Sequence, residues 1–535
     1  MKTSKTMRIL TLSVLAASMA ACSSIPKKID TAAPVMAVPN VPMNDAYKVY
    51  DADTISAVEA PSVASVRWQD FYTDPKLKAL IELALNNNKD LQSAILAVQS
   101  ARAQYQITET NAWPKVGASG GATRSANTNN RGDVNPATAY NVGLAMSSYE
   151  LDLWGKVASQ KEQALHQYLA TNAAKDAAQI SIISSVAQGY VNLAHALAQR
   201  QLAEQTLQTR EHAMMITQKR FEAGIDSKSP SLQAASSLES ARLAVYSADT
   251  AILQARNALQ LLIGRPVPNE LLPMIGRDMH IGNITSQTLF STGLPSELLY
   301  YRPDIVQAEH NLKAAGANIN VARAAYFPSI SLASNIGFSS GSLDNLLESG
   351  AFGWSFGPSI SLPIFDAGAR RANHEVAQVA QKSALVNYEK AIQNAFKEVS
   401  DVLAERATLG QRIDAQVRLQ DNYRQTYDIA YARFRSGLDN YLTVLDAERS
   451  LFANQQSILQ LELAKLVSQI QLYQVLGGGA NLTAEQITEF NRQKEAMRTA
   501  ELAANQPVAP TTIENGTGVQ ITQPEPQTTP ATQPR

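Results

Sequence analysis

Two stretches of the chain that share one register decide the fold. Residues 433–451 read RFRSGLDNYLTVLDAERSL, and residues 220–238 read RFEAGIDSKSPSLQAASSL, a shift of 213 (433 minus 220). This match continues without a gap to Gly477 and Gly264. A second match, shifted by 214 (304 minus 90), joins residues 304–328 to residues 90–114. Because one register is held over so many positions, we predict that the chain is a duplicated unit.

Each copy has the same order of predicted elements: a first helix, two strands, a long helix, a glycine turn and a return helix. The helices are predicted at about 75–110, 155–221 and 231–263 in copy one, and at about 296–325, 369–434 and 442–476 in copy two. The first helix ends before a proline, which lacks a donor and clashes with the preceding turn. The long helix contains no proline and would run about 100 Å at 1.5 Å per residue.

The segments between the first and the long helices alternate with a period of two. Apolar side chains alternate with small or polar ones over residues 330–338, 352–362 and 140–147. This pattern predicts half-buried strands, which occur in soluble sandwiches as well as in membrane barrels. Runs of about 10 residues, the length of a tilted spanning strand, and aromatic residues on the apolar face favour the barrel. The polar segments 124–137 and 339–350 are predicted to be connecting loops.

The element lengths predict how the chain assembles. The first and return helices together match the long helix, so each copy contributes two full-length helical layers and two strands. Four strands per chain are too few, because a small spanning barrel needs at least about eight. Three chains would supply about twelve strands around one axis. We therefore predict an α+β fold in which a homotrimer closes a 12-stranded β-barrel that continues into a long α-helical barrel.

The composition excludes several classes of function. The 535 residues include 46 basic and 47 acidic side chains, and this balance argues against a nucleic-acid partner. Beyond the N-terminus, no run reaches the roughly 18 apolar residues of a membrane helix. The six histidines form no HExxH pair, and Gly477 follows a helix, as a helix stop does. We therefore expect a protein that is not an enzyme and has no metal site.

The N-terminus has the features of a bacterial export signal. Basic residues precede the short apolar run 9–17, and the small residues Ala20 and Ala21 stand directly before Cys22, the only cysteine. This arrangement resembles a lipobox, although Met19 stands where leucine is commonest. Acylated Cys22 would carry a diacylglycerol and an N-acyl chain, with no other cofactor expected. Ordinary signal cleavage beside an incidental cysteine is the alternative.

The chain divides into six predicted parts. These are a signal peptide at 1–21, a lipid-anchored tether at 22–65, repeat one at 66–264, a connector at 265–293, repeat two at 294–480, and a C-terminal segment with a disordered tail at 481–535.

Several motifs are similar to those of outer-membrane efflux proteins of the TolC and OprM type. The motif residues are LPSELL at 294–299, RPDI at 302–305, LTVLDA at 442–447, and Trp68 and Phe71 with Leu77. The lipoprotein start resembles the OprM-like branch. Membership would imply a trimer in the outer membrane, in contact with its lipid and extending into the periplasm. It would also imply a passive exit duct that works with a periplasmic adaptor and an inner-membrane resistance-nodulation-division (RND) pump in multidrug efflux.

The resemblance also implies which residues carry the function. Leu442 and Asp446 lie four apart on one helix face and match the positions that close OprM-like channels, with Asp439 as a weaker candidate. Three copies would form an apolar plug and an acidic ring that attracts cations. Seam packing for Leu442 and simple solvation for Asp446 are the alternatives.

The hairpin tips are the predicted contact with the adaptor. Gly224 and Gly437 would make the turns, and Arg220 and Arg433 are expected to cap the terminal carbonyls of the long helices. Trp154 and Phe365, at the strand-to-helix corners, are expected to be either interfacial anchors or junction packing.

Two other functions stay open from the sequence. An exit duct of a type I protein-secretion system shares the fold and is only weakly separated from an efflux duct. A periplasmic adaptor lipoprotein also has long hairpins, but it would lack the duplicated strands.

Overall fold

The computed structural model describes residues 27–28, 66–128, 134–276, 284–286 and 302–479. The predicted signal peptide, Cys22, most of the tether and the C-terminal segment 481–535 lie outside these residues. Within them, no helix combines the length and the apolar character needed to cross a membrane.

The described elements follow the same order in both copies. Copy one has α1 (Trp68–Phe71), α2 (Pro75–Asn87), α3 (Lys89–Glu109), β1 (Gly117–Thr128), β2 (Val134–Glu150), α4 (Lys156–Glu222) and α5 (Lys228–Ile263). Copy two has α6 (Pro303–Ala324), β3 (Ser329–Ser340), β4 (Phe352–Ser361), α7 (Ala369–Arg435) and α8 (Tyr441–Val475). The long helices α4 and α7 both have 67 residues. The long and return helices begin and end within three residues of the positions predicted from the sequence.

The first helix of copy one was predicted as a single helix and is in fact two. Asn88 is extended, and its side-chain oxygen accepts from the Leu91 amide at 2.9 Å, which caps the start of α3. Its side-chain amide donates to the Leu262 carbonyl at 2.7 Å, at the end of α5. The predicted helix is interrupted at Asn88 because this buried residue caps the start of α3 and also binds the end of α5.

The four strands form one antiparallel sheet in the order β1-β2-β3-β4. The predicted loop 124–137 is wrong, because Arg124 pairs with Thr138 and Ser125 with Ala137. The described strands therefore reach Thr128 and begin again at Val134, both within the predicted loop. Residues opposite each other across an antiparallel ladder share a face. Ile336, between Leu144 and Trp354, lies on an apolar face, and its neighbour Asn335, opposite Ser355, lies on a polar face.

The helices pack side by side in two tiers. In the tier next to the sheet, the order of packed neighbours is α3, α4, α6 and α7. In the tier that ends at the hairpin turns, the order is α5, α4, α8 and α7. Between the tiers lies the largest buried apolar cluster, which includes the motif residues Trp68, Phe71 and Leu77. Each long helix therefore spans both tiers, as the helix lengths predicted.

Candidate functional site

The two hairpin turns have the same backbone structure. Gly224 and Gly437 have φ values of +70° and +73°, in the left-handed region that glycine adopts without a steric cost. The amide after each glycine donates to the carbonyl of the arginine five positions earlier, Ile225 to Arg220 and Leu438 to Arg433, both at 2.9 Å. Each long helix thus ends with an orphan carbonyl satisfied by the turn.

The turn arginines bind carboxylates rather than helix-end carbonyls. Arg220 Nε donates to Asp226 Oδ2 at 2.6 Å, and Arg433 Nε donates to Asp439 Oδ2 at 2.6 Å, each with a second bond from the same guanidinium. The predicted capping by Arg220 and Arg433 side chains is therefore wrong. Sequence reasoning also missed Asp226, although the 213-residue shift that places Arg433 on Arg220 places Asp439 on Asp226.

Asp439 is held by this ion pair. The hydrogen bond from Arg433 holds the pKa of the Asp439 carboxyl below its usual range. The negative charge of Asp439 is thus compensated within the turn. Three copies of Asp439 would therefore contribute less negative charge to an acidic ring than three carboxylates without such a partner.

The two hairpins of one chain touch near their turns. The Arg220 guanidinium lies over the Phe434 ring, 5.1 Å from its centroid, and Phe434 packs against Tyr441 with centroids 5.6 Å apart. Phe434 and Tyr441 belong to a small apolar cluster that also holds Ala234 from the other hairpin. A cation over an aromatic face is attracted by the ring quadrupole. The contact between Arg220 and Phe434 therefore stabilises the packing of the copy-one turn against copy two.

A buried ion pair joins the hairpins further from the turns. Arg210 Nε on α4 donates to Glu448 Oε1 on α8 at 2.8 Å, and both side chains are only 8% exposed. Arg210 also donates to the Ser237 carbonyl at 3.0 Å. Burial, followed by the Glu448 charge, raises the pKa of both Tyr427 and Tyr441 to about 12. Nothing in the sequence singles out this pair, because its members lie 238 positions apart.

The predicted closing residues lie in the first two turns of α8. Leu442 is 43% exposed and the Asp446 side chain is 64% exposed, whereas their neighbours Val444 and Leu445 are buried. Asp446 has one weak ion pair, with Arg449 at 3.7 Å. The face that carries Leu442 and Asp446 is therefore directed away from the core of the hairpin pair.

Each turn also displays an aliphatic side chain that sequence reasoning did not single out. Ile225 is 63% exposed and Leu438 is 67% exposed, and each directly follows the turn glycine. The repeat register relates the two positions, and each is flanked by its Arg–Asp pair. The two turns thus present the same surface, an aliphatic residue beside a compensated ion pair.

The strand-to-helix corners differ from each other. Trp154 stacks on Phe327 at 4.6 Å and donates through Nε1 to the Pro328 carbonyl at 2.7 Å, so it packs in its junction. Phe365 is almost fully exposed. Of the two alternatives, junction packing describes Trp154, and the exposed ring of Phe365 is free to lie at an interface.

The motif residue Arg302 ties three elements together. Its guanidinium binds Asp304 at 2.7 Å and Glu398 at 2.7 Å, and donates to the Val475 carbonyl at 2.9 Å. It therefore joins the start of α6 to α7 and to the end of α8. The motif has a structural function here, away from the hairpin turns.

Comparison with known proteins assigns this architecture to a family. The sequence profile of the outer membrane efflux proteins matches residues 80–265 and 294–478. The toluene efflux pump outer membrane protein TtgF of Pseudomonas putida is 39% identical over 483 residues, 89% of this chain and 98% of that protein.

Solved structures agree. The crystal structure of CusC superposes with a TM-score of 0.73 at 38% identity, covering 85% of this chain and 100% of that one. The open-state outer membrane channel MtrE of Neisseria gonorrhoeae superposes with a TM-score of 0.72 at 36% identity, covering 80% and 95%. The chain therefore belongs to the outer membrane efflux protein family, whose members are efflux channels of the outer membrane that extend into the periplasm.

Proposed function

We propose that three copies of this chain form the exit duct of a tripartite multidrug efflux pump. The duct would work with a periplasmic adaptor and an inner-membrane RND pump, and its conduit would be closed at rest by the hairpin turns. The observation that supports it most is that, among the described residues, the sheet and both helical tiers each have an unpaired edge on either side.

The open edges belong to different copies of the repeat. In the described sheet, β1 and β4 each pair on one side only. In the helical tiers, α3 and α5 lie at the edge of copy one, and α7 lies at the edge of copy two. When the copy-one edge of one chain meets the copy-two edge of the next, repeated contacts of this kind around an axis form a closed ring. An unpaired strand edge is also a template for pairing with another chain.

The edge helices carry exposed apolar stripes at helical spacing. On α5 the stripe consists of Leu243, Tyr246 and Leu253, and on α7 of Val376, Val379 and Val386. Contiguous exposed apolar surface marks an interface in a soluble region. We assign these stripes to contacts between copies.

The sheet has the two faces that a membrane barrel requires. Trp354 and Phe356 on the apolar face are 73% and 59% exposed, which suits contact with lipid. The opposite face carries glycine, serine and asparagine, which suits a watery interior. Exposed apolar side chains also cluster where strands meet helices, among them Trp113, Ile364 and Phe365. This level would lie at the membrane surface.

Two measurements test the assembly. Purified protein is expected to be a trimer by mass and to insert into planar bilayers as a mostly closed pore. Leu243→Asp should lower the trimer fraction, because it places a charge in the contact between copies. Leu343→Asp is the matched control, since Leu343 is 64% exposed against 65% for Leu243 but lies in the β3–β4 connection. A monomer without conductance would overturn the proposal.

The closing residues have their own test. Leu442→Ala combined with Asp446→Ala should raise the resting conductance, because it removes both the apolar plug and the acidic ring. Leu232→Ala, at an exposed leucine near the turn of the other hairpin, should leave the conductance unchanged. An equal effect of both variants would reject the assignment of the gate to α8.

Two further expectations belong to this proposal. The adaptor would contact the turn surfaces formed by Ile225 and Leu438 with their Arg–Asp pairs, and Ile225→Asp should weaken adaptor binding while leaving the trimer intact. Cys22 would carry a diacylglycerol and an N-acyl chain. Mass spectrometry of the mature N-terminus tests this, and an unmodified cysteine would contradict it.

A further inference from the structure

Two histidines from different copies of the repeat meet in the tier next to the sheet. His166 lies in the third turn of α4 and His310 lies in α6. Their Nδ1 atoms are 3.2 Å apart, and the rings lie nearly parallel with centroids 5.4 Å apart. Neither the closing residues nor the turns use this pair.

The environment leaves both rings neutral near pH 7. Burial, followed by the Lys313 charge, lowers the pKa of His166, and burial, followed by the His166 ring, lowers the pKa of His310. Glu162 and Glu309 oppose these shifts. Lys313 is paired with Glu309 at 2.6 Å, which reduces the repulsion that its charge would exert on a bound cation. Neutral imidazole is the form that binds metal ions.

The distance between the nitrogens suits chelation. With metal–nitrogen bonds of about 2.0–2.1 Å, two nitrogens 3.2 Å apart subtend about 100° at the metal. This angle lies between the square-planar and the tetrahedral values, and imidazole ligands suit zinc, copper and nickel. Both histidines are half-buried in the described chain.

We propose that His166 and His310 form a two-histidine site for a divalent transition-metal ion, with water in the remaining positions. Among the described residues, no group of three or more His, Cys, Asp or Glu side chains could hold a metal, so the two histidines are the whole protein contribution. In the free pair one Nδ1–H donates a hydrogen bond to the Nδ1 of the other ring. On binding, this proton moves to Nε2 of the same ring, both Nδ1 atoms coordinate the ion, and both rings stay neutral.

The site would join the two copies of the repeat. His166 belongs to copy one and His310 to copy two, at a contact between α4 and α6. A bound ion would cross-link the two helices beneath the sheet. This is a metal-dependent brace for the helical wall, distinct from the closing residues and from the adaptor contact.

The test uses the full-length trimer, purified through an affinity tag without histidine and stripped with a chelator. Titration with Zn²⁺ against a chromophoric chelator should give one ion per chain. His166→Asn and His310→Asn should each weaken binding at least about tenfold, the scale on which metal sites respond to losing a supporting group. His212→Asn is the matched control, an exposed histidine on the same helix, and should bind as the wild type does.

A spectroscopic measurement removes any dependence on how well the variants fold. Electron paramagnetic resonance of Cu²⁺ bound to the wild-type trimer should show coupling to two imidazole nitrogens. No saturable binding, coupling to fewer than two nitrogens, or equal binding by the doubly substituted chain would overturn the proposal. Because binding is measured without conductance, the result is independent of the proposed channel function.

Discussion

The buried pair of Arg210 and Glu448 permits the sharpest prediction about the hairpins. Glu448→Gln keeps the size of the side chain and removes its charge. The Arg210 guanidinium, 8% exposed, would then be a buried cation without a counter-charge, left with neutral acceptors such as the Ser237 carbonyl. Breaking a buried pair by removing one partner costs about 3–5 kcal/mol.

The cost should appear as loosened contact between the hairpins. Because about 1.4 kcal/mol is a factor of ten, 3 kcal/mol corresponds to a loss of protection of roughly a hundredfold. Hydrogen exchange measured by mass spectrometry on the wild-type and variant trimers would report it over the first half of α8. Peptides from α3, in the other tier, serve as the internal reference and should be unchanged.

The matched control is an exposed ion pair on the neighbouring helix. Glu239 and Arg242 lie 2.7 Å apart with side chains 64% and 43% exposed. Exposed pairs contribute little because solvent screens them, so Glu239→Gln should leave exchange nearly unchanged. If Glu448→Gln and Glu239→Gln gave the same exchange in α8, the buried pair would not hold the hairpins together. Replacing both members, as Arg210→Met with Glu448→Leu, should restore most of the protection.

Two other perturbations follow from contacts in the sheet and in the turn. Gly337→Ala should lower the yield of folded trimer, because its Cβ would clash with the Val142 carbonyl oxygen. Gly357→Ala, with open space around it in the described chain, should be tolerated, and equal yields would contradict this. For Asp439, whose pKa Arg433 lowers, the pair stabilises the turn above the ordinary carboxyl pKa of about 3.9 and loses that effect as the pH falls through the lowered value. Asp439→Asn should therefore speed exchange in the turn at pH 7, after correction for intrinsic rates, and the difference should vanish in strong acid. A difference that persists there would exclude the ion pair as its cause.

The helices were predictable because their signals are local. The long and return helices are bounded by left-handed glycines, and they begin and end within three residues of their predicted positions. The largest difference is at the start of α5, whose first turn includes Pro230. The break at Asn88 was not predictable in this way. It depends on a hydrogen bond to Leu262, 174 positions away, and no window of sequence contains both partners.

The strand and site errors also have physical causes. The end of β1 carries exposed polar side chains such as Arg124 and Ser125, and the start of β2 includes Pro136 and Ala137. Both segments therefore lack the apolar alternation by which strands are recognised. The Arg–Asp pairs span six positions across a left-handed turn, a spacing that no helical or strand period predicts. The repeat register was the signal that could have found them, since it aligns both members of each pair.

The equal length of α4 and α7 restricts how this chain can change in evolution. An insertion of one residue turns everything beyond it by about 100° and moves it by 1.5 Å along the axis. In either 67-residue helix, such a change would rotate the contact faces between hairpins and shift one turn relative to the other. Deletions and insertions in the two helices must therefore match each other. The sequences of α4 and α7 can therefore diverge in their side chains, but the two helices must keep the same length.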